Sequence, residues 1–277
     1  MKQEVLSMDD IKKELPFFKT RVGKIIAKTL FKITDMDKVN DLYKTACEEQ
    51  DIHFVDRLLK ELNIKCYIEH EERLNNLPEG FVTVSNHPFG GIDGIILIDI
   101  IGNRYPEYRY IVNWILNKVQ AMSKYFICVD PVSTGVKSIS VKGIKDAEMH
   151  LKKNLPLGLF PSGSVSEITW KNGIRFEDIG WNTSACKMIK GAKKPVLPIY
   201  FHGHNSPFFY LLGLLGWKIR SMRLPCEVFN KKGKTIHITI GEIITPEEQE
   251  KYKTLKEYGD FLKNKTYQLR KKTTVDK

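Results

Sequence analysis

His87 and Asp93 lie six positions apart in Phe81-Val-Thr-Val-Ser-Asn-His-Pro-Phe-Gly-Gly-Ile-Asp93. An imidazole whose Nδ1 is held by a carboxylate offers Nε2 as a base for an alcohol, so this spacing invites general-base chemistry. A turn followed by a helix cap would use the same two residue types, and the pair alone does not choose between these readings. Pro88 disfavours helical backbone at His87, which places the imidazole on extended chain just past a strand. Gly90 and Gly91 let the chain fold back. Asp93 then falls in the first turn of a helix, where the backbone dipole favours its ionised form.

Two further segments have the same form, an apolar run ending in small polar residues. Phe160-Pro-Ser-Gly-Ser-Val-Ser-Glu167 follows the apolar run 157–160, and its backbone N–H groups suit an oxyanion or phosphate as well as an ordinary polar loop. It lacks the second glycine of a nucleophile elbow, which argues against a serine hydrolase. Val196-Leu-Pro-Ile-Tyr-Phe-His-Gly-His-Asn-Ser206 is the third. On a continuing strand His202 and His204 would face opposite sides, so they do not share a metal. Cys47, Cys66, Cys128, Cys186 and Cys226 are scattered without a Cys-x-x-Cys pair, which predicts free thiols in a reducing compartment and no zinc cage.

The elements that must position these groups follow from hydropathy. Residues 1–63 read as helices: one capped by Ser7 and broken at Pro16, then 17–33, 35–48 and 53–62. In the second, Lys24, Lys28 and Lys32 share one face opposite Val22, Ile25, Ile26, Leu30 and Phe31. Such a helix suits a headgroup layer, or packs on the domain with its lysines in water. After a short strand at 66–69, and beyond residue 70, strands at 81–85, 108–112, 126–129, 157–160, 195–201, 224–229 and 235–240 alternate with helices at 114–122, 138–153, 182–190 and 246–271. This pattern predicts an α/β fold with a central, mostly parallel β-sheet flanked by helices, and an N-terminal helical region. The organisation expected is a helical region over 1–70, facing a membrane, and an α/β domain over 71–277. Residues 208–217 are apolar all round and suit core burial or a shallow insertion.

Composition narrows the partners. The 277 residues carry 44 Lys and Arg against 33 Asp and Glu, a formal charge of +11, which favours an anionic membrane surface or an acidic carrier protein. The lysines are spread along the chain without a finger or RNA-recognition signature, which argues against nucleic acid. No apolar run reaches the roughly 18–20 residues of a spanning helix. The start, Met1-Lys-Gln-Glu, has no apolar signal core, so the expected location is cytoplasmic, peripheral on the inner membrane face.

Taken together, three blocks resemble the PlsC-like glycerolipid and lysophospholipid acyltransferases, in the hemolysin-like branch that includes aminolipid O-acyltransferases. They are Asn86-His-Pro-Phe-Gly-Gly-Ile-Asp93, Phe160-Pro-Ser-Gly-Ser-Val-Ser166 and Pro198-Ile-Tyr-Phe-His-Gly-His-Asn-Ser206. The likeness spans about residues 65–245 and implies acyl transfer from acyl-carrier protein or acyl-CoA to a lyso-lipid hydroxyl, with no metal or bound cofactor. On this likeness His87 is the base and Asp93 its orienting partner. Asn86, Phe89, Gly90, Gly91, Ser162, Gly163, Ser164, Ser166, Asn205 and Ser206 are the candidate substrate contacts.

The common pattern also has an arginine after Phe-Ile and an acidic–basic Glu-Gly-Thr-Arg block. Here those positions read Phe126-Ile-Cys-Val-Asp130 and Ser162-Gly-Ser-Val165. Without phosphate-clamping arginines, a lyso-aminolipid joins lysophospholipid as the implied acceptor. The competing readings are a thioesterase or lipase, with water as acceptor, and a non-catalytic module that binds a membrane or carrier protein.

Overall fold

The structure, a computed structural model, describes residues 4, 5, 7, 19–129, 141–170 and 173–270. The helix expected between Ser7 and Pro16, residues 17 and 18 of the next, the Asp130-Pro131 strand end, residues 138–140 and residue 271 lie outside them. In chain order the helices are α1 (Arg21–Ile33), α2 (Met36–Ala46), α3 (Asp51–Glu61), α4 (Gly91–Leu97), α5 (Val141–Lys152), α6 (Thr183–Ala192), α7 (Pro207–Gly213), α8 (Trp217–Ser221), α9 (Leu224–Phe229), α10 (Pro246–Glu250) and α11 (Leu255–Tyr267). The strands are β1 (Lys65–Glu69), β2 (Val82–Ser85), β3 (Arg109–Asn113), β4 (Phe126–Val129), β5 (Leu157–Leu159), β6 (Glu167–Thr169), β7 (Arg175–Glu177), β8 (Val196–Phe201) and β9 (Thr235–Ile240). The chain forms two compact units. One comprises Met1–Ile64, Asn117–Lys124 and Asn205–Lys234; the other comprises Lys65–Leu116, Tyr125–His204 and Thr235–Lys277.

The second unit is built on a seven-stranded sheet in the order β1-β9-β8-β2-β5-β3-β4. Every neighbouring pair is parallel except β8 with β9, so the expected mostly parallel α/β sheet is present. All residues of β2 and β8 are buried, as apolar runs covered on both faces must be. Val82, Val84, Leu157 and Leu159 pack with Ala147 and Leu151 of α5, Ile189 of α6 and Leu262 of α11. Because β8, β2 and β5 run in one direction, the segments after Phe201, Ser85 and Leu159 leave the sheet at one carboxyl edge. Ligand sites of open α/β sheets form there.

In the first unit, α1 buries Ala27 and Phe31 and leaves Val22 62%, Ile25 64% and Ile33 63% exposed. The apolar side read from the sequence is therefore mostly in water, and a narrow stripe of small residues ending at Phe31 does the packing. Three other assignments change. Residues 224–229 form α9 instead of a strand, because Pro225 sits in the first turn, where its fixed φ suits a helix. Residues 114–122 form two 3₁₀ segments, Trp114–Lys118 and Gln120–Tyr125. The stretch 246–271 divides into α10 and α11, each opened by a threonine cap, Thr245 and Thr254. Core burial also fails for 208–217: Phe209 and Tyr210 are buried, but Leu211, Leu214, Leu215 and Trp217 are exposed, Leu214 at 80%.

Candidate active site

Val84-Ser85 ends β2, and the next side chain fixes the edge. The Asn86 amide donates to Phe201 O at 2.9 Å and accepts from Phe201 N at 2.8 Å, tying β2 to the end of β8. His87 follows on the turn. Its Nδ1 lies 2.9 Å from Asp93 Oδ2, and the same oxygen accepts from Phe89 N at 2.9 Å and Gly90 N at 3.1 Å. Gly90 holds φ +89°, a backbone angle that costs a side-chain-bearing residue energy, and this aims both N–H groups inward. Asp93 is fully buried, whereas the His87 side chain is 17% exposed. With Nδ1 donating to the carboxylate, Nε2 is the nitrogen available for chemistry. The imidazole stacks on Phe160 at 3.8 Å between centroids and 17° between planes, so its rotation is restricted.

Burial pushes the Asp93 carboxyl above its ordinary range; the imidazole's hydrogen bond and charge, then the two backbone N–H groups, pull it back. That balance suits a carboxylate that holds an imidazole and stabilises the imidazolium formed when a proton arrives.

A second carboxylate, which the sequence did not single out, reaches the same histidine from 91 positions away. Asp178 Oδ1 accepts from Ser166 Oγ at 2.7 Å and from the His87 backbone N–H at 3.4 Å, and Oδ2 accepts from Trp181 Nε1 at 3.1 Å. Ser166 N donates to His87 O at 2.8 Å. Burial raises the Asp178 carboxyl, opposed by its bonds to Ser166 and Trp181 and by the charge of His87. A lone Asp between Glu177 and Ile179 gives no signal in one dimension; its partners are distant in the chain.

The structure thus gathers Asn86, His87, Phe89, Gly90, Asp93 and Ser166 around one turn. Gly91 opens α4, with no atom within 4 Å of where a Cβ would stand. Phe89 is buried, with its ring against Gly203. On the loop after β5, Ser162 Oγ donates to Ser164 O at 2.8 Å, and Gly163 turns the chain at φ +66° with open space around it. Asn205 and Ser206 belong to the other unit and are engaged there. Asn205 Oδ1 accepts from Lys231 Nζ at 3.1 Å. Ser206 Oγ donates to Glu227 Oε1 at 2.6 Å and accepts from Phe209 N at 3.2 Å, capping α7.

His202 Nε2 lies 2.8 Å from Thr239 Oγ1, and His204 stacks on Phe176 at 4.1 Å. Among the described residues no group of three or more His, Cys, Asp or Glu could hold a metal ion. The five cysteines are free thiols. Burial pushes Cys66 up to about 12 and Cys186 and Cys226 up to about 11, so those three are protonated and poor nucleophiles near neutral pH.

Comparison with known proteins adds four findings. A family model described as "Acyltransferase" matches residues 11–276. A lyso-glycine lipid O-acyltransferase of Bacteroides thetaiotaomicron is 31% identical over 258 residues, 90% of this chain and 91% of the relative. A protein of the same name from Phocaeicola vulgatus is 30% identical, over 97% of this chain and 98% of its own length. The crystal structure of the 1-acyl-sn-glycerophosphate acyltransferase PlsC from Thermotoga maritima shares the fold. Its TM-score is 0.52 at 15% identity, covering 96% of this chain and 92% of that one.

Proposed function

The chain belongs to the acyltransferase family, and from that premise we propose that it moves a fatty acyl chain from an acyl thioester to the hydroxyl of a lyso-lipid, with His87 as general base. The observation that carries this reading is the 2.9 Å contact between His87 Nδ1 and the buried Asp93, which leaves Nε2 for the acceptor.

The acceptor hydroxyl gives its proton to His87 Nε2 as its oxygen bonds to the thioester carbonyl carbon. The carbonyl oxygen becomes an oxyanion, for which the loop of Ser162, Gly163 and Ser164 supplies candidate donors. Collapse breaks the carbon–sulfur bond, and the imidazolium returns its proton to the departing thiolate. Asp93 holds the productive tautomer and balances the imidazolium charge. The base contributes on the order of 10²–10⁴-fold, with positioning and oxyanion donors supplying the rest.

A lyso-aminolipid is the acceptor favoured here. Two relatives named for lyso-glycine lipid align over nine-tenths or more of the chain, and the phosphate-clamping arginines of the common pattern are missing from 126–129 and 162–165. The donor is an acyl-carrier protein or acyl-CoA, both acidic, which the charge of +11 would attract.

Contact with the membrane is peripheral, at the cytoplasmic face, where five free thiols stay reduced. Exposed Ile25, Ile33, Leu214, Leu215 and Trp217, with the exposed lysines of α1, supply apolar and basic groups for an anionic headgroup layer. No helix among the described residues is long and apolar enough to cross a membrane.

Incubating the purified protein with lyso-glycine lipid and either acyl-carrier-protein or CoA thioesters, with products read by mass spectrometry, tests this reading. The expected product is the diacylated lipid with one equivalent of free thiol. Thiol release at the same rate without lyso-lipid, giving free fatty acid, would make the protein a thioesterase and overturn it.

A further inference from the structure

Behind the His87–Asp93 pair, three buried side-chain oxygens find no hydrogen-bond partner among the described residues: Asp93 Oδ1, Ser85 Oγ and the Tyr110 hydroxyl. Each residue is at most 1% exposed. Native structures rarely leave such groups unpaired, and one on a carboxylate is the most costly kind.

The three belong to one neighbourhood because of a glycine. Strand β5 lies between β3, which carries Tyr110, and β2, which ends at Ser85. At its centre is Gly158, paired with both Thr83 and Tyr110. A Cβ at Gly158 would stand 1.9 Å from the Tyr108 hydroxyl and 2.5 Å from the Tyr110 ring, so the missing side chain makes room over β5 for both tyrosines. The ring meets Phe160 edge-on at 4.9 Å, and Phe160 stacks on His87. At its far end the phenol is near enough to Asp93 to feel its charge. It is also near enough to Ser85 for that hydroxyl to ease its burial, although the two miss hydrogen-bond geometry. Tyr108, two residues earlier, is already satisfied by Thr83 Oγ1 at 2.7 Å. The distribution of donors on Asp93 is lopsided: Oδ2 takes three and Oδ1 none.

We propose that Tyr110 and Ser85 are positioning residues for acyl transfer, their hydroxyls holding Asp93 Oδ1 through one buried water that all three groups bind. Three polar partners are what a buried water needs. The bridge completes the carboxylate's hydrogen bonding on the side away from His87 and keeps Asp93 ionised and turned towards the imidazole. This inference rests on His87 and Asp93 being the catalytic pair.

The test compares Tyr110→Phe, Ser85→Ala and the double variant with the wild type, with melting temperature as the check on folding. The titratable groups facing this pocket are His87, Asp178, Tyr108 and Tyr110 itself. Losing a hydroxyl removes stabilisation of the Asp93 anion, so Asp93 takes up its proton at higher pH and the acid limb of the kcat/KM profile moves up where that protonation sets it. Each single variant lowers kcat roughly tenfold, the size of one lost hydrogen bond to a charged group, and leaves KM for lyso-lipid within about twofold. The double variant loses less than the product of the singles, because both act through one water. A kcat within twofold of wild type and an unmoved acid limb in both single variants, while His87→Ala is inactive, overturns the bridge without touching the catalytic pair. A loss confined to KM, with the limb unmoved, also overturns it. If Tyr110→Phe does not fold, Ser85→Ala carries the same readouts alone.

Discussion

Two regions, the edge of the sheet around His87 and the stretches of the helical unit in α1 and at residues 214–217, depart from ordinary burial in opposite directions. Around the edge of the sheet, groups that prefer water are inside: Asp93, Asp178, Asn86 and Ser166 are all buried. In the helical unit, groups that prefer oil are outside, with Leu214 at 80%, Leu215 at 69%, Ile25 at 64% and Trp217 at 59%. Burying an ionisable carboxyl is unfavourable unless it is hydrogen-bonded, and adjacent exposed large apolar side chains, such as Leu214 and Leu215, gain free energy when they are covered. The two departures are also organised differently. The buried carboxylates are each tied to His87 by hydrogen bonds, as preorganised chemistry requires. The exposed apolar residues lie on α1, at the start of α8 and in the turn 214–215 between α7 and α8, with exposed lysines on α1. On the proposed function, chemistry and lipid contact fall in different units, so that each can be disturbed alone.

The largest effect expected is on the chemical side. Asp93→Asn keeps the shape but alters the hydrogen bonding at Nδ1, and kcat should fall roughly 10³- to 10⁴-fold, as in triads that lose their carboxylate. Vesicle binding in a flotation assay should not change. If both fell together, the separation of roles would fail.

Next in size is the lipid side. Leu214→Glu with Leu215→Glu removes two exposed leucines from the proposed membrane contact and adds two anionic charges. Partitioning to vesicles containing anionic lipid should weaken roughly 10- to 100-fold, from about 1.5–3 kcal/mol per fully buried leucine discounted for partial insertion. Turnover of a short-chain, water-soluble acceptor should stay within about twofold. Unchanged partitioning would remove the turn between α7 and α8 from the proposed membrane contact.

Asp178→Asn is smaller, roughly tenfold in kcat, because Asp178 holds the His87 backbone and Ser166 and leaves the ring nitrogens alone. Its stability signature is sharper. A carboxyl raised by burial keeps its proton in the folded state after the unfolded chain has released it, so ΔG of unfolding falls as pH rises through that window. From about pH 4, near the unfolded value, upward, the wild type should lose stability relative to Asp178→Asn. Thermal melts from pH 4 to 8 read this, and a gap between the two melting temperatures that does not change with pH would contradict it.

What the sequence disclosed followed the same division. The apolar runs of β2, β5 and β8 and the small polar residues after them were legible, because a buried parallel strand has a local signature and its carboxyl end follows directly. The His87–Asp93 contact was legible because proline, two glycines and a helix start all lie within seven residues. Asp178 and Tyr110 were not, since each reaches the site across the fold, and the Tyr110 ring, like the Tyr108 hydroxyl, occupies space that a side chain at Gly158 would fill. The short hairpin of β6 and β7 is three residues a side, below the length at which alternation can be read. In 208–217, hydropathy reported the residues' preference for oil. It could not report which helix faces have protein against them.

The central claim is that the His87 imidazole takes the acceptor's proton. Transfer of radiolabelled acyl chains to a lyso-lipid by purified His87→Ala, shown to be folded by its melting temperature and still bound to vesicles, tests it most directly. The expected rate is at least about 10²-fold below wild type; transfer at a rate near that of wild type would show that another group takes the proton.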